Sequence, residues 1–319
     1  MRLKLVPKNT SWNFFSRSKL WIGISIILVV LSLISFFIQS LNFGIDFRGG
    51  TSIRTESSEP INVAAYRSAL SSLDLGDITI SEVFDPSFEA DQNVAMIRIQ
   101  AQPGQEAATS ILVENSLQNL KGVSEDIKFV SVESVGPKVS GELIKTAIIA
   151  VILAISAVLF YIWIRFEWQF AVGAISALIH DVILTIGIFS LLQIKFDLAI
   201  IAAILTIVGY SLNDTVVVFD RVRENLRKFK KRSLIEVMNL SINETMSRTV
   251  MTSVTTLLAL ISLFVLGGDV IRGFVFAMIW GVVVGTYSSI FIASAILLWT
   301  GVKRDWTKPN AEAGTQVPQ

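Results

Sequence analysis

The chain has 319 residues, 52% of them hydrophobic and 17% charged, with a net charge of +1, no cysteine and a single histidine. Disulfides and thiolate metal sites are excluded, and so is a domain count taken from length alone, because apolar segments of about 20 residues recur at bilayer-spanning length. No pattern calls for a metal, a cofactor or nucleic acid.

Residues 1–19 carry Arg2, Lys4, Lys8, Arg17 and Lys19 and no acidic residue. The apolar run that follows, about 20–40, is too long for a secretory signal and reads as a retained anchor. Residues 41–142 then carry 7 basic and 15 acidic residues, a net −8. Within them GIDFRGGTSIRT (44–55) has strand character interrupted by Gly49 and Gly50. INVAAYRSALSSL (61–73) is spaced as a helix, DITISEVF (77–84) and NVAMIRIQ (93–100) as strands, QEAATSILVENSLQNL (105–120) as a helix and IKFVSVESV (127–135) as a last strand. The order βαββαβ is the ferredoxin-like pattern. The segment contains no nucleophile, metal or phosphate-binding pattern, so binding or mechanical work fits it better than catalysis.

Two motifs bound this segment. GIDFRGG, with Gly44, Asp46, Gly49 and Gly50, suits a turn or bulge where the chain leaves the first span. In VGPKVSGEL (135–143), Pro137 biases Gly136 away from helix and can itself begin one, which makes a junction with a defined pivot.

Five further spans follow, near 143–164, 170–192, 198–219, 250–267 and 274–299. Ala147, Ala150, Ala154 and Ala157 on the second span and Gly281 and Gly285 on the sixth suit close helix packing. His180 and Asp181 fall near the middle of the third span, where a charge costs at least a few kcal/mol. They are either functional or a neutral pair bonded to a neighbouring helix. The fourth span sets Thr206, Tyr210, Asn213 and Asp214 on nearly one face. That face reads as an interior one, with interfacial water reaching Asp214 as the milder alternative. Arg248 enters the fifth span ahead of Thr252 and Thr255, positioned to reach a carboxylate or to snorkel to the surface.

The connection 220–249 holds Arg221, Arg223, Arg227, Lys228, Lys230, Lys231, Arg232 and Arg248, and the tail adds Lys303, Arg304 and Lys308. These basic clusters predict both termini in the cytoplasm and 41–142 outside, with short outer hairpins near 193–197 and 268–273. Ser233 to Glu236 form a capping box starting a helix with Leu234, Val237, Met238, Ser241 and Ile242 on one face, expected along the membrane surface. The fold class is therefore a polytopic α-helical membrane protein, six transmembrane helices, with an α+β extracytoplasmic domain between helices 1 and 2. Its divisions are 1–40, 41–142, 143–299 and a cytoplasmic tail 300–319.

The motifs GIDFRGGT (44–51), VGPKVSGEL (135–143), RFEWQFAVGAISALIHDV (165–182) and GYSLNDTVVVFDRVREN (209–225) occur in an order and relation to the spans that resembles the SecF subunits of the bacterial Sec protein translocase, within the RND superfamily. The resemblance covers nearly the whole chain. It implies a non-enzymatic accessory subunit of the bacterial inner membrane that pairs with SecD, works with the SecYEG translocon and its associated membrane subunits, and assists export of polypeptides using the proton-motive force. It also implies that Asp214 and Arg248 lie on the proton path, either as the principal site or as the pseudo-symmetric counterpart of a SecD carboxylate, with membrane lipid around it. Asn213, His180 and Asp181 are read from the residues as part of the same polar seam. Three rivals remain from the residues. One is an RND-type small-molecule or lipid exporter subunit, another an intramembrane aspartyl protease using Asp181 and Asp214, although neither lies in a G-x-G-D context. The third is a passive scaffold.

Overall fold

The computed structural model describes residues 10–302 except 74, 77, 84, 86–87, 89–91, 101–105 and 119–126. Arg2, Lys4, Lys8, Lys303, Arg304 and Lys308 lie outside the described residues, as do positions 77, 84, 105 and 119–120 at the expected ends of elements. Among the described residues, six helices are long and apolar enough to cross a membrane. The protein is a polytopic helical membrane protein.

Helix α1 (Ser18–Gln39) leads to a two-residue strand β1 (Asn42–Phe43) and a single helical turn α2 (Ile45–Arg48). The expected strand over 44–55 therefore begins only at Gly50. Residues 45–48 coil instead, because Gly44 N–H donates to Phe196 O at 2.8 Å and anchors the turn to the α6–α7 connection. Gly49 and Gly50 then take φ of 73° and 135°, backbone that side chains with a Cβ rarely adopt.

Beyond them β2 (Gly50–Ser57), α3 (Val63–Leu70), β3 (Ile78–Val83), β4 (Asn93–Gln100), α4 (Glu106–Gln118) and β5 (Lys128–Val135) succeed one another. The strands lie in the order β3-β4-β2-β5 and every neighbouring pair is antiparallel. Alternation along β2 and β4 puts Ile53, Ile97 and Ile99 on one face, sealed by Tyr66 and Leu70 of α3 and Val113 and Leu117 of α4. The other face carries Ser52, Arg54, Arg98 and Glu133. A cavity of about 570 Å³ separates it from the helix ends around Phe264 and Val270.

The chain re-enters the bundle through α5 (Pro137–Arg165), with Gly136 extended as N-cap (φ −70°, ψ 153°) and Pro137 as first helical residue. Ser140 Oγ donates to Ile45 O at 3.4 Å, so the two junction motifs touch each other. Then come α6 (Trp168–Leu192), β6 (Lys195–Phe196), α7 (Leu198–Lys228) and α8 (Leu234–Leu266). The last span is α9 (Gly268–Ser288), a π turn (Ser289–Ala293) and α10 (Ser294–Thr300). The connection at 193–197 is more than a hairpin: β6 pairs in parallel with β1, Asn42 opposite Lys195 and Phe43 opposite Phe196.

Two helices outrun the bilayer. At 1.5 Å per residue α7 and α8 are about 46 and 50 Å long, against a hydrocarbon core of about 30 Å. The separate surface helix expected after Ser233 is thus corrected. The capping box is present, with both of its hydrogen bonds, but the helix it starts runs unbroken into the fifth span. No glycine or proline interrupts residues 234–266. The Val237, Met238 and Ile242 face is buried on Val218, Phe219, Val222 and Leu226 of α7, so it packs on protein rather than lipid. Polar bonds reinforce that pairing: Arg221 Nε donates to Glu244 at 2.6 Å, and Asn225 Nδ2 to Glu244 at 2.6 Å and to Ser241 at 3.0 Å. The arm before α1 is tied to the same projection. Asn243 Oδ1 accepts from Trp12 N at 2.9 Å, and Asn239 Oδ1 accepts from Phe14 N at 2.8 Å.

Candidate functional site in the helix bundle

Helices α6, α7 and α9 meet at Asp181, which is only 1% exposed. Close approach makes the meeting possible. A Cβ at Gly285 of α9 would lie 3.0 Å from Ser211 Cβ of α7, and Gly281 faces the side chain of Ile207 one turn earlier on both helices. The Gly281 and Gly285 stripe thus joins α9 to α7.

Ser211 Oγ donates to Asp181 Oδ2 at 2.6 Å, and Ser288 Oγ donates to the same oxygen at 2.8 Å. The other oxygen, Oδ1, lies 3.0 Å from His180 Nδ1. One carboxylate therefore binds three helices, each through a side chain in the buried interior. Ser288 is the last residue before the π turn, a distortion that tends to accompany functional positions in helices. Beside it Tyr287 stacks at 6.1 Å from the His180 ring and donates its hydroxyl to Trp21 O of α1 at 2.8 Å.

Asp214 sits one turn further along α7 from Ser211. It is 3% exposed, and its Oδ2 has no hydrogen-bond partner among the described residues. Arg248 on α8 is exposed and forms no direct ion pair with it among the described residues, although its charge acts on the carboxylate. Thr249, adjacent to Arg248, is buried with a hydroxyl that has no partner among the described residues. Asn213 and Thr206 are exposed on the outer side of α7, while Tyr210 O–H donates to Thr256 Oγ1 on α8 at 3.5 Å. The sequence-derived face therefore divides. Asp214 turns into the bundle, and Asn213 and Thr206 turn outward.

His180 and Asp181 are together, but neither contacts Arg248. The motif residues Gly44, Asp46, Gly49, Gly50, Gly136 and Pro137 stand apart from this site, at the sheet-bearing ends of the helices. There Asp46 Oδ2 accepts from Leu198 N at 3.0 Å and Asp197 accepts from Ile200 N at 3.4 Å, so two carboxylates cap α7. Ser211 and Ser288 were absent from the sequence reading. The available signal was their spacing, each three residues from a position already singled out, Asp214 and Gly285.

Residues 115–303 match the family described as protein export membrane protein SecD/SecF, C-terminal, and residues 34–61 match the SecD/SecF GG motif. The protein translocase subunit SecF of Cereibacter sphaeroides is 59% identical over 315 residues, 99% of this chain and 97% of that protein. That of Vibrio alginolyticus is 41% identical over 93% of this chain and 92% of its own. Among solved structures, SecDF from Thermus thermophilus, described as a translocon-associated membrane protein, is 34% identical with a TM-score of 0.80 over 93% of this chain. SecDF in a super-membrane-facing form is 35% identical with a TM-score of 0.67 over 94% of this chain. The chain spans 40% of each SecDF chain, but nearly the full length of the SecF relatives. A family match across more than half of the sequence, with relatives aligned end to end, leaves one assignment: the chain belongs to the SecD/SecF family of protein-export membrane proteins.

Proposed function

We propose that the chain is an accessory subunit of the Sec translocase, working with a SecD subunit to assist protein export across the cytoplasmic membrane under the proton-motive force. The observation that carries the proton-coupled part is Asp214. Its carboxylate is buried between helices with one oxygen unpartnered, and a cationic side chain stands near enough to act on it without pairing. A carboxylate so placed gains or loses charge as water or a partner reaches it, and each change alters the packing of α7. The exposed Asn213 next to it is a polar side chain that suits the face of a second subunit rather than lipid.

The location of each part has its own support. The arm before α1 is bonded to the α7–α8 projection, so two basic segments share one side, which the positive-inside rule makes cytoplasmic. The net −8 segment then lies outside. Its β-α-β-β-α-β order and β3-β4-β2-β5 sheet support a ferredoxin-like domain. That domain joins the helices through Gly49-Gly50 and Gly136-Pro137 over a cavity, an arrangement that suits reorientation as one body. SecYEG, emerging polypeptide and lipid are the partners this reading assigns.

Asp214→Asn keeps shape but removes the charge change, and should weaken the proton-dependent part of export at unchanged protein level. Arg248→Lys keeps charge but loses the planar fork, and should impair export if Arg248 meets a carboxylate in the working complex. Normal export by both variants across a range of proton-motive force would overturn the proton-coupled reading.

A further inference from the structure

We propose that His180 is a proton-accepting group inside the bundle, with Nε2 as the receiving atom and Asp181 as the carboxylate that orients the ring. This adds a second, internal group to the proton-coupled reading of Asp214.

The argument begins at Asp181. Its Oδ2 receives two hydroxyl donors, from Ser211 and Ser288, on two different helices. An ionised carboxylate is an acceptor only, and this one is placed to receive a third donor at Oδ1. The group there is His180 Nδ1 at 3.0 Å. The hydrogen bond made by one ring nitrogen determines the state of the other. With the proton on Nδ1, the neutral ring keeps its lone pair on Nε2. That atom is buried, in a side chain 6% exposed, and has no hydrogen-bond partner among the described residues.

Charge supplies the driving force. Among the described residues, His180 is the basic side chain within ion-pairing distance of Asp181, and it becomes a counter-charge only once the ring is protonated. With Asp181 ionised and the ring neutral, the pair carries one negative charge within hydrocarbon depth, held among the described residues by hydroxyl and N–H donors. A proton delivered from water adds to the Nε2 lone pair, forming one N–H bond and breaking none within the protein. The ring becomes imidazolium, and the pair becomes neutral overall. An isolated charge costs more in this environment than a hydrogen-bonded pair of opposite charges. Release reverses the same step.

The groups facing the dyad from each packed element are Ser211 on α7, Ser288 and Tyr287 on α9, and Ser25 on α1, which shares a hydrogen bond of 2.8 Å with the Tyr287 hydroxyl. Asp214 is the next carboxylate along α7. Loading the ring draws Asp181 Oδ1 toward the imidazolium and weakens the pull on Ser211 and Ser288. The charge state of His180 is thereby linked to how firmly α7 and α9 are held to α6, and hence to the position of Asp214.

The single histidine makes the test direct. The full chain, purified without a histidine tag and labelled with ¹⁵N in imidazole, should show a bare Nε2 in alkaline conditions. Acidification should convert it to a protonated nitrogen while Nδ1 keeps its proton. In Asp181→Asn the amide can donate to Nδ1, so the proton should sit on Nε2 at every pH and the conversion should vanish. A parent Nε2 that carries a proton throughout, or stays bare to the acid limit of the fold, overturns the proposal. The parent spectrum decides even if the variant fails to fold. Because it reads the nitrogen rather than export, its outcome is independent of the Asp214 and Arg248 experiments.

Discussion

Substituting Gly281 by alanine probes the contact that holds α9 against α7. A Cβ at that position would have three Ile207 carbons no more than 2.7 Å away, where carbon atoms in contact rest at about 3.5–4.0 Å. The helices must part by about 1 Å, or Ile207 must leave its rotamer, at a cost of about 1–3 kcal/mol. Alanine also favours helix over glycine by about 1 kcal/mol, which offsets part of the loss. The single variant is therefore a blunt instrument, and a double-mutant cycle is the sharper one. Ile207, 1% exposed, should cost about 2–4 kcal/mol when truncated to alanine. In the pair Gly281→Ala with Ile207→Ala the new methyl enters the space the old side chain leaves. The combined loss should fall short of the sum by at least about 1 kcal/mol, with helix propensity cancelling around the cycle. The assay is reversible denaturation of the purified chain in detergent. Gly209, on α7 two residues from Ile207 and with nothing within 4 Å of its Cβ position, is the control, and Gly209→Ala should be neutral or mildly stabilising. Additivity within about 0.5 kcal/mol would refute a steric contact between Gly281 and Ile207.

Asp46→Ala should lower stability by about 1 kcal/mol through loss of the cap on Leu198, while Asp46→Asn, which retains an acceptor oxygen, should stay near the parent. Equal midpoints for the parent and both variants in thermal unfolding would show that the bond is not made. Tyr66 is fully buried, and that burial raises its phenol above the usual 10.0, a hydrogen bond from Thr55 opposing in part. The folded state then holds the phenolic proton longer than the unfolded chain does. Its contribution is complete below pH 10.0 and is lost as pH rises through the raised value, so Tyr66→Phe should flatten the alkaline limb of sheet unfolding followed by circular dichroism. In this cysteine-free chain, cysteine at the exposed Glu59 should react only with an impermeant reagent outside the cell, and cysteine at the exposed Lys231 only after permeabilisation. The opposite pattern would invert the topology.

The spans were legible because length and apolarity are properties of a segment, read without knowing its neighbours. Residues 93–100 form a strand over the range their alternation suggests, and the Ser233–Glu236 capping box marks a true helix start. What the sequence hides is where a helix stops being in lipid. Val237, Met238 and Ile242 give the same apolar stripe whether they face a membrane surface or the extension of α7, and only packing distinguishes these. The coiling of residues 45–48 was hidden for a similar reason, since it depends on Phe196 and Leu198, some 150 positions away. In the polar cluster, ionisable residues stand out in an apolar background, so His180, Asp181 and Asp214 are legible as polar positions, and the structure buries all three. The serines that complete the site do not, because a hydroxyl in a membrane helix usually bonds its own backbone four residues earlier, as Ser176 does here.

The attachment of α1 sets a schedule for biosynthesis. Ser35 Oγ donates to Ser190 Oγ, 155 positions later, and Ser32 lies against Gly187, so the first helix rests on the third rather than the second. Its Tyr287 contact arrives 266 positions after Trp21, and the arm before it waits for Asn239 and Asn243. At ribosomal rates of roughly 5–20 residues per second, α1 spends on the order of ten seconds in the bilayer before α6 exists to receive it. The sheet, whose strands all lie between residues 50 and 135, can close during that interval. The nascent chain thus passes through a stage with a folded head on a helix that has no partner of its own. A chain halted after α5 should leave α1 free to diffuse and accessible to insertion factors, whereas one halted after α6 should already hold it.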